Sequence, residues 1–195
     1  MERLSKIKEP VAREFSGYEK YIREALRSDS EFVGNIIDYV VANRGKGVRP
    51  MLVFLMAGIH SGGSSDERAY FAAMLVEMIH NASLVHDDVI DNADVRHGKP
   101  SVNHKWNSRV SVLAGDFILA RSFSAGMESG HFDLVGYITK GVSDLAEGEL
   151  IQIDFNSRHG ITRQQYLDII FKKTATLLGV SAGGGALAVG ASPVE

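Results

Sequence analysis

The stretch from Glu77 to Asn103, EMIHNASLVHDDVIDNADVRHGKPSVN, restricts the fold more than any other part of the chain. Phe71, Met74, Met78, Val85 and Val89 recur at helical spacing and predict one buried stripe. At 100° per residue, His80, Asp87 and Asp91 fall within about 40° of one another on a second face. A helix is therefore expected that buries one side and carries a histidine, two turns and then paired carboxylates on another, with Asp88 beside them. Asn92, Gly98 and Pro100 end it. The arrangement is locally unfavourable. Anions at a helix C-terminus meet the negative end of its dipole, and two carboxylates about 6 Å apart repel by roughly 3 kcal/mol at an effective dielectric near 20. Hard divalent cations with oxygen ligands offset such repulsion. A solvated acidic helix end fits the same residues.

The rest of the chain reads as helices. Leu4, Ile7, Val11, Phe15, Tyr18, Ile22 and Leu26 suggest an amphipathic helix over residues 3–27, broken near Pro10 and Gly17. Ser28 and Glu31 resemble a capping box opening a second helix whose buried face is Val33, Ile36, Ile37 and Val40. Met51–Ile59 is almost wholly apolar, and Ser64 with Glu67 resembles a second capping box opening the central helix. Further helices are expected from Ser108 to Met127, with Val110, Leu113, Phe117 and Phe123 on the stripe, from Asp133 to Phe155, and from a third capping box at Thr162 and Gln165. Gly183, Gly184 and Gly185 are poor in a helix interior and suit close packing. No stretch alternates with period two, so no strand is expected. The fold class is all-α, a single helical bundle.

Gly45 to Pro50 punctuates two of these helices. Its glycines let backbone approach a ligand. Lys46 and Arg49, with Arg44 upstream, suit either a diphosphate cradle or a solvated loop. Hydrophobic residues make up 45% of the 195 and charged residues 23%, which excludes an intrinsically disordered chain. A net charge of −3 gives no reason to expect nucleic acid. There is no cysteine, which excludes disulfides and Cys-zinc sites. MERLSKIKEP lacks an apolar signal-peptide region, and Thr174–Ala191 carries five glycines and too little bulk for a membrane span. A cytoplasmic protein without a transmembrane segment is the expectation.

Four segments in order resemble the trans-isoprenyl diphosphate synthase family. Asp87-Asp88-Val89-Ile90-Asp91 followed by Arg96, Gly98 and Pro100 is similar to its first aspartate-rich motif. Gly45-Lys46-Gly47-Val48-Arg49-Pro50 is similar to its Gly-Lys-x-x-Arg-Pro motif, Gly148-Glu149-Leu150-Ile151-Gln152 to its mid-chain segment, and Lys173-Thr174-Ala175-Thr176-Leu177 to its Lys-Thr motif. The resemblance implies an isoprenoid-synthase-type bundle and a Mg²⁺-dependent prenyltransferase that joins isopentenyl diphosphate to an allylic (geranyl or farnesyl) diphosphate. It implies that Asp87 and Asp91 ligate Mg²⁺ with Asp88 in support. Lys46, Arg49 and His80 would bind isopentenyl diphosphate, Arg96 the allylic diphosphate, and Lys173 and Thr174 would approach that group from a separate helix. It further implies a homodimer.

Two features depart from the family pattern. His97 stands where a second arginine is usual, so its contact to isopentenyl diphosphate would be weaker and pH-dependent. Nothing after Thr174 contains paired aspartates, so the family's second aspartate-rich motif is expected beyond this sequence. Residues 1–195 then form one all-helical domain, C-terminally incomplete: a fragment, a proteolysis product or a natural half-length subunit. In the family, residues just before the aspartate-rich motif set product length. Ala82 and Ser83 are small there, which implies a long trans-polyprenyl product, about octaprenyl, of the kind used as a quinone side chain. The alternatives are a non-catalytic or regulatory subunit, a terpene cyclase, which would not need Lys46, Arg49 and His80, and an HD-type phosphohydrolase, which would leave the basic and Lys-Thr segments unexplained.

Overall fold

The structure is a computed structural model, and it describes residues 2–63, 66–157 and 160–192. In chain order the elements are α1 (Glu2–Lys8), a 3₁₀ turn (Glu9–Val11), α2 (Ala12–Ala25), α3 (Glu31–Ala42), α4 (Val48–Ser61) and α5 (Glu67–Ile90). A hairpin follows, β1 (Val95–Arg96) and β2 (Lys99–Pro100), then α6 (Val102–Lys105), α7 (Ser108–Glu128), α8 (Phe132–Ser157), α9 (Arg163–Ile170), a π turn (Phe171–Ala175) and α10 (Thr176–Ala188). The all-α reading stands, and α5 runs through the middle of the bundle. Its buried positions occur on every side, from Ala69 through Met74, Met78 and Ala82 to Val85. Neighbours therefore surround it: α7 packs along it most extensively, α4 and α10 cover further faces, and α4 and α10 pack on each other.

Small residues make that crowding possible. Of the stripe expected on α7, Val110, Phe117 and Phe123 pack partly buried against the core, but Leu113 is 67% exposed. The fully buried positions are Ser111, Ala114, Gly115, Ile118, Ser122 and Gly126. At Gly115 a Cβ would sit 2.2 Å from the His86 ring, and at Gly126 it would collide with Val135 and Phe71. The apolar stripe missed these small positions because helix backbones approach closely only across residues that lack bulk. The glycine run of α10 acts alike, and it stays helical. A Cβ on Gly185 would lie 2.2 Å from the carbonyl oxygen of Val53 on α4. By length and composition α7 would suffice to cross a membrane, and its small face is packed on α5.

Caps and breaks differ from expectation in places. Pro10 does break the first helix, within the 3₁₀ turn, but Gly17 does not, and it faces the Tyr70 ring. The cap of α3 is Ser30, whose hydroxyl accepts from the amide of Val33, rather than Ser28. Asp66 caps α5 by accepting from Ala69; Ser64 lies outside the described residues. The Thr162–Gln165 capping box is present. The hairpin corrects the expectation of no strand: Val95 pairs with Pro100 and Arg96 with Lys99. Its two-residue loop, His97 and Gly98, has φ of 52° and 79°, the pair of positive values that a type I′ turn needs. Strands of two residues leave no alternation to detect.

These contacts set opposite signs for two glycine substitutions. Gly34 lies inside α3 with open space around its Cβ position, so Gly34→Ala is expected to stabilise by about 0.5–1 kcal/mol. Gly185→Ala, which drives a methyl into the α4 backbone, is expected to destabilise by about 2 kcal/mol or more. Urea unfolding of the two variants beside the parent measures both, and equal effects would mean that α4 and α10 are not in close register.

Candidate active site

A cleft of about 520 Å³ opens between α5, α8 and the π turn. From α5 come Ile79, His80, Ser83, Leu84, His86, Asp87 and Ile90, and α4 adds Arg49. From α8 come Val142, Leu145, Ala146, Glu149, Leu150 and Ile153, from α7 Leu119, and from the π turn Lys173 and Thr174. Apolar and charged side chains thus share one lining. His80 and Asp87 stand two turns apart on that face, about 10 Å along the axis. Asp91, expected on the same face, is the exposed C-cap of α5 and does not line the cleft. Asn92 then takes the left-handed conformation, φ 51°, and turns the chain into the hairpin.

The end of α5 is electrostatically crowded. Asp88 is 2% exposed, and the Nε and Nη2 of Arg96 both donate to its Oδ1, at 3.0 and 2.6 Å. The hairpin thereby returns a cation to the helix tail. Asp87 has no such partner among the described residues. Burial, the facing carboxylate of Glu149 and the charge of Asp91 hold its carboxyl above the ordinary range, against the lowering effects of Lys173 and Arg96. Lys173 itself donates to Glu149 at 2.5 Å and to Gln152 at 2.9 Å. A Cβ on Gly148 would meet Lys172 and Lys173, so that glycine lets the π turn approach α8. A π turn inside an α-helix commonly marks a functional site.

The basic side is assembled from three elements. Gly47 caps α4 in the left-handed conformation, φ 65°. Arg49 is partly buried, and its Nε has no hydrogen-bond partner among the described residues. Burial, and then the charges of Arg49, His97 and Arg96, hold His80 down to about 4. His97 sits at the hairpin tip, with Nδ1 3.1 Å from the Asn43 carbonyl oxygen and its ring against Gly45. Lys46 is exposed and does not line the cleft. Ser83 lines the cleft, whereas Ala82 is fully buried in the core and does not.

Glu77 and Glu149 received no role from the sequence, although Glu77 lies three residues before His80 and Glu149 sits inside a segment already singled out. Among the described residues, no three His, Cys, Asp or Glu side chains are grouped to hold a metal ion. The donor chemistry nevertheless suits one. Asp87 and Asp91 supply hard oxygens, and a dication would relieve the repulsion on Asp87, as Mg²⁺ bound through one or two carboxylates does.

Because the folded-state pKa of Asp87 lies above the unfolded one, its ionised form subtracts stability at neutral pH. That penalty fades as pH falls through the folded value. Asp87→Asn is therefore expected to raise the melting temperature of the ligand-free chain by about 2 °C at pH 7. The gain should vanish below the carboxylate range. Scanning calorimetry at the two pH values reads this directly.

The chain was compared with known proteins. The family described as polyprenyl synthetase matches residues 30–195. The chain is 34% identical over 181 residues to an all-trans-nonaprenyl-diphosphate synthase (geranyl-diphosphate specific) of Rhodobacter capsulatus, covering 93% of this chain and 55% of that protein. It is 34% identical over 192 residues to the octaprenyl diphosphate synthase of Escherichia coli (strain K12), covering 98% of this chain and 59% of that one. A crystal structure of a decaprenyl diphosphate synthase from Rhodobacter capsulatus superposes with a TM-score of 0.89 at 30% identity, over 97% of this chain and 58% of the other. The chain spans less than two thirds of the length of these relatives. The cleft, its carboxylates and its basic loop therefore belong to a member of the polyprenyl synthetase family.

Proposed function

We propose that the chain serves a trans-polyprenyl diphosphate synthase, which joins isopentenyl diphosphate to a geranyl or farnesyl diphosphate and lengthens it by one isoprene unit. One observation carries this reading: a single apolar-lined cleft bears two charged stations about 10 Å apart on α5, Asp87 with Lys173 at one and His80 with Arg49 at the other. Two diphosphates need two stations, and two prenyl chains need an apolar lining between them. In this reading Asp87 and Asp91 hold Mg²⁺, which supplies Lewis-acid stabilisation of the departing diphosphate. Asp88 keeps Arg96 at the helix end, and Arg96, Lys173 and Thr174 hold the allylic diphosphate.

Arg49, Lys46, His80 and His97 hold isopentenyl diphosphate. His80 is neutral at pH 7 in the free chain and donates a hydrogen bond rather than a full charge. The apolar lining keeps water from the allylic cation as charge develops, where fixed cations act most strongly. Ser83 is the small residue one turn below Asp87 on the cleft side, and it leaves room for a long product, about octaprenyl. Val112 and Leu113, 43% and 67% exposed on α7, mark the face on which we place a homodimer. We place the protein in the cytoplasm.

Mg²⁺ together with a non-hydrolysable farnesyl diphosphate analogue should raise the melting temperature by several degrees. Asp87→Ala and Asp91→Ala should each remove that rise. A rise surviving in both variants would put the metal elsewhere. With farnesyl and isopentenyl diphosphates, products longer than twenty carbons are expected, and Ser83→Phe should shorten them. Ala82→Phe should instead unfold the chain, because that side chain has no cleft to enter.

A further inference from the structure

The hairpin carries Arg96 and His97, yet neither side chain lines the cleft. Where their charges stand is therefore set by how the hairpin is held. The segment from Ala93 to Trp106 is closed on itself. The Ser101 hydroxyl donates to the Ala93 carbonyl at 2.6 Å and the Ser101 amide to the Asp94 carbonyl at 2.8 Å, and Asp94 pairs with His104 at 3.0 Å. Arg96 ties this segment to α5, but both of its bonds end on the same Oδ1 of Asp88. Contact through one oxygen fixes a distance and leaves the guanidinium free to pivot, unlike a fork seated on two oxygens. Continuous packing does not supply the rest. A cavity of about 40 Å³ lies between the hairpin and the helices, with Val40, Leu84 and Val85 on one side and Arg96, His97 and Pro100 on the other.

The remaining ties come from α3, which contributes nothing to the cleft lining. The Tyr39 hydroxyl donates to the Pro100 carbonyl at 2.7 Å. The Tyr39 ring meets Trp106 edge to face with centroids 5.3 Å apart, and the Lys105 ammonium lies 3.8 Å from its centroid, within the range of a cation–π contact. Pro100 pairs with Val95, the residue before Arg96, so a bond to Pro100 seats the strand that carries the arginine. Asn43, the C-cap of α3, adds a carbonyl oxygen 3.1 Å from Nδ1 of His97.

We propose that Tyr39 is a positioning residue: its hydroxyl and ring clamp the hairpin to α3, and the clamp sets where Arg96 stands to meet a diphosphate. The proposal rests on the reading above that Arg96 holds the allylic diphosphate. Tyr39 does not line the cleft and acts only through the hairpin. Its two contributions are separable. Phenylalanine keeps the ring against Trp106 and Lys105 and lacks only the bond to Pro100, whereas leucine lacks both.

Two measurements on the full chain test this. The first needs no ligand: amide hydrogen exchange at Ser101, whose N–H is bonded to the Asp94 carbonyl inside the hairpin segment. Tyr39→Phe should speed that exchange about fivefold, the factor expected for one lost hydrogen bond. The second is calorimetric titration of farnesyl thiodiphosphate with excess Mg²⁺. Tyr39→Phe should weaken binding about fivefold, and Tyr39→Leu should weaken it further. Arg96→Gln, which keeps a donor for Asp88, should weaken it roughly tenfold or more. In the Arg96→Gln background Tyr39→Phe should change the dissociation constant less than about twofold, the non-additivity of residues that act as a unit. In a Lys173→Ala background it should keep its full effect, because Lys173 reaches the cleft from the π turn and not from the hairpin. Unchanged exchange at Ser101, parent-like binding by Tyr39→Phe, or an equal loss in the Arg96→Gln background would overturn the positioning role and leave the site reading intact. Parent-like binding by Arg96→Gln would overturn the site reading itself. If Arg96→Gln does not fold, the exchange rate and the order parent, Tyr39→Phe, Tyr39→Leu decide the matter, and equal affinities across that series would sink the clamp.

Discussion

Burial of α5 on nearly every side is the constraint from which the other features follow. A helix in that position must be apolar or small almost all round, and Phe71, Ala72, Ala73, Met74, Leu75 and Val76 form an unbroken buried run. Its neighbours can approach only where they too are small, which places Gly115 and Gly126 of α7 against it. The polar residues of α5 then have two exits. One is the C-terminal end, where Asp87, Asp88 and Asp91 collect. The other is the basic loop, toward which Glu77 and His80 face.

At both exits charge is held in balance rather than left free. Asp88 is joined to Arg96 and Glu149 to Lys173, so each of these cations already has an anion. Asp87 has no ion-pair partner of its own among the described residues, and burial with Glu149 and Asp91 outweighs the nearby Lys173 and Arg96. A site assembled this way is close to neutral when empty, and in the function proposed above its arginine and lysine change partners when a phosphate arrives. Exchange between ion pairs in a half-buried cleft requires less desolvation at the moment of binding than bringing hydrated charges in from bulk water.

The helices and much of the site were legible because periodicity and motif spacing are local properties. The face shared by His80, Ser83 and Asp87 follows from 3.6 residues per turn, and the Thr162–Gln165 cap from two residues three apart. What escaped was set by contact between distant segments. The exposed Leu113 and the buried Ser111 of α7 invert the hydrophobic rule, because proximity to α5 selects for size before polarity. Ala82 and Ser83 are adjacent and equally small in sequence, yet one enters the core and the other the cleft. The ion pairs of Arg96 and Lys173 join residues 8 and 24 positions apart, by direct subtraction of their numbers from those of Asp88 and Glu149, and no pattern in either segment announces them. The hairpin is too short to show a period.

The π turn between α9 and α10 carries one consequence for the geometry of the whole segment. A regular α-helix advances each residue by about 100°, and a π turn accommodates one residue more in its turn. Upstream and downstream side chains are thus rotated out of the phase that an unbroken helix would impose. Lys173 can face α8 while Gly185 faces the backbone of α4, although the two residues lie on one nearly continuous rod. Rewinding Phe171–Ala175 as regular α-helix without removing a residue would swing one of these faces away by about 100°, whereas removing the one extra residue would restore regular winding and leave both faces where they are. How this turn is wound is therefore a structural parameter in its own right, and it acts like a gear on everything that follows.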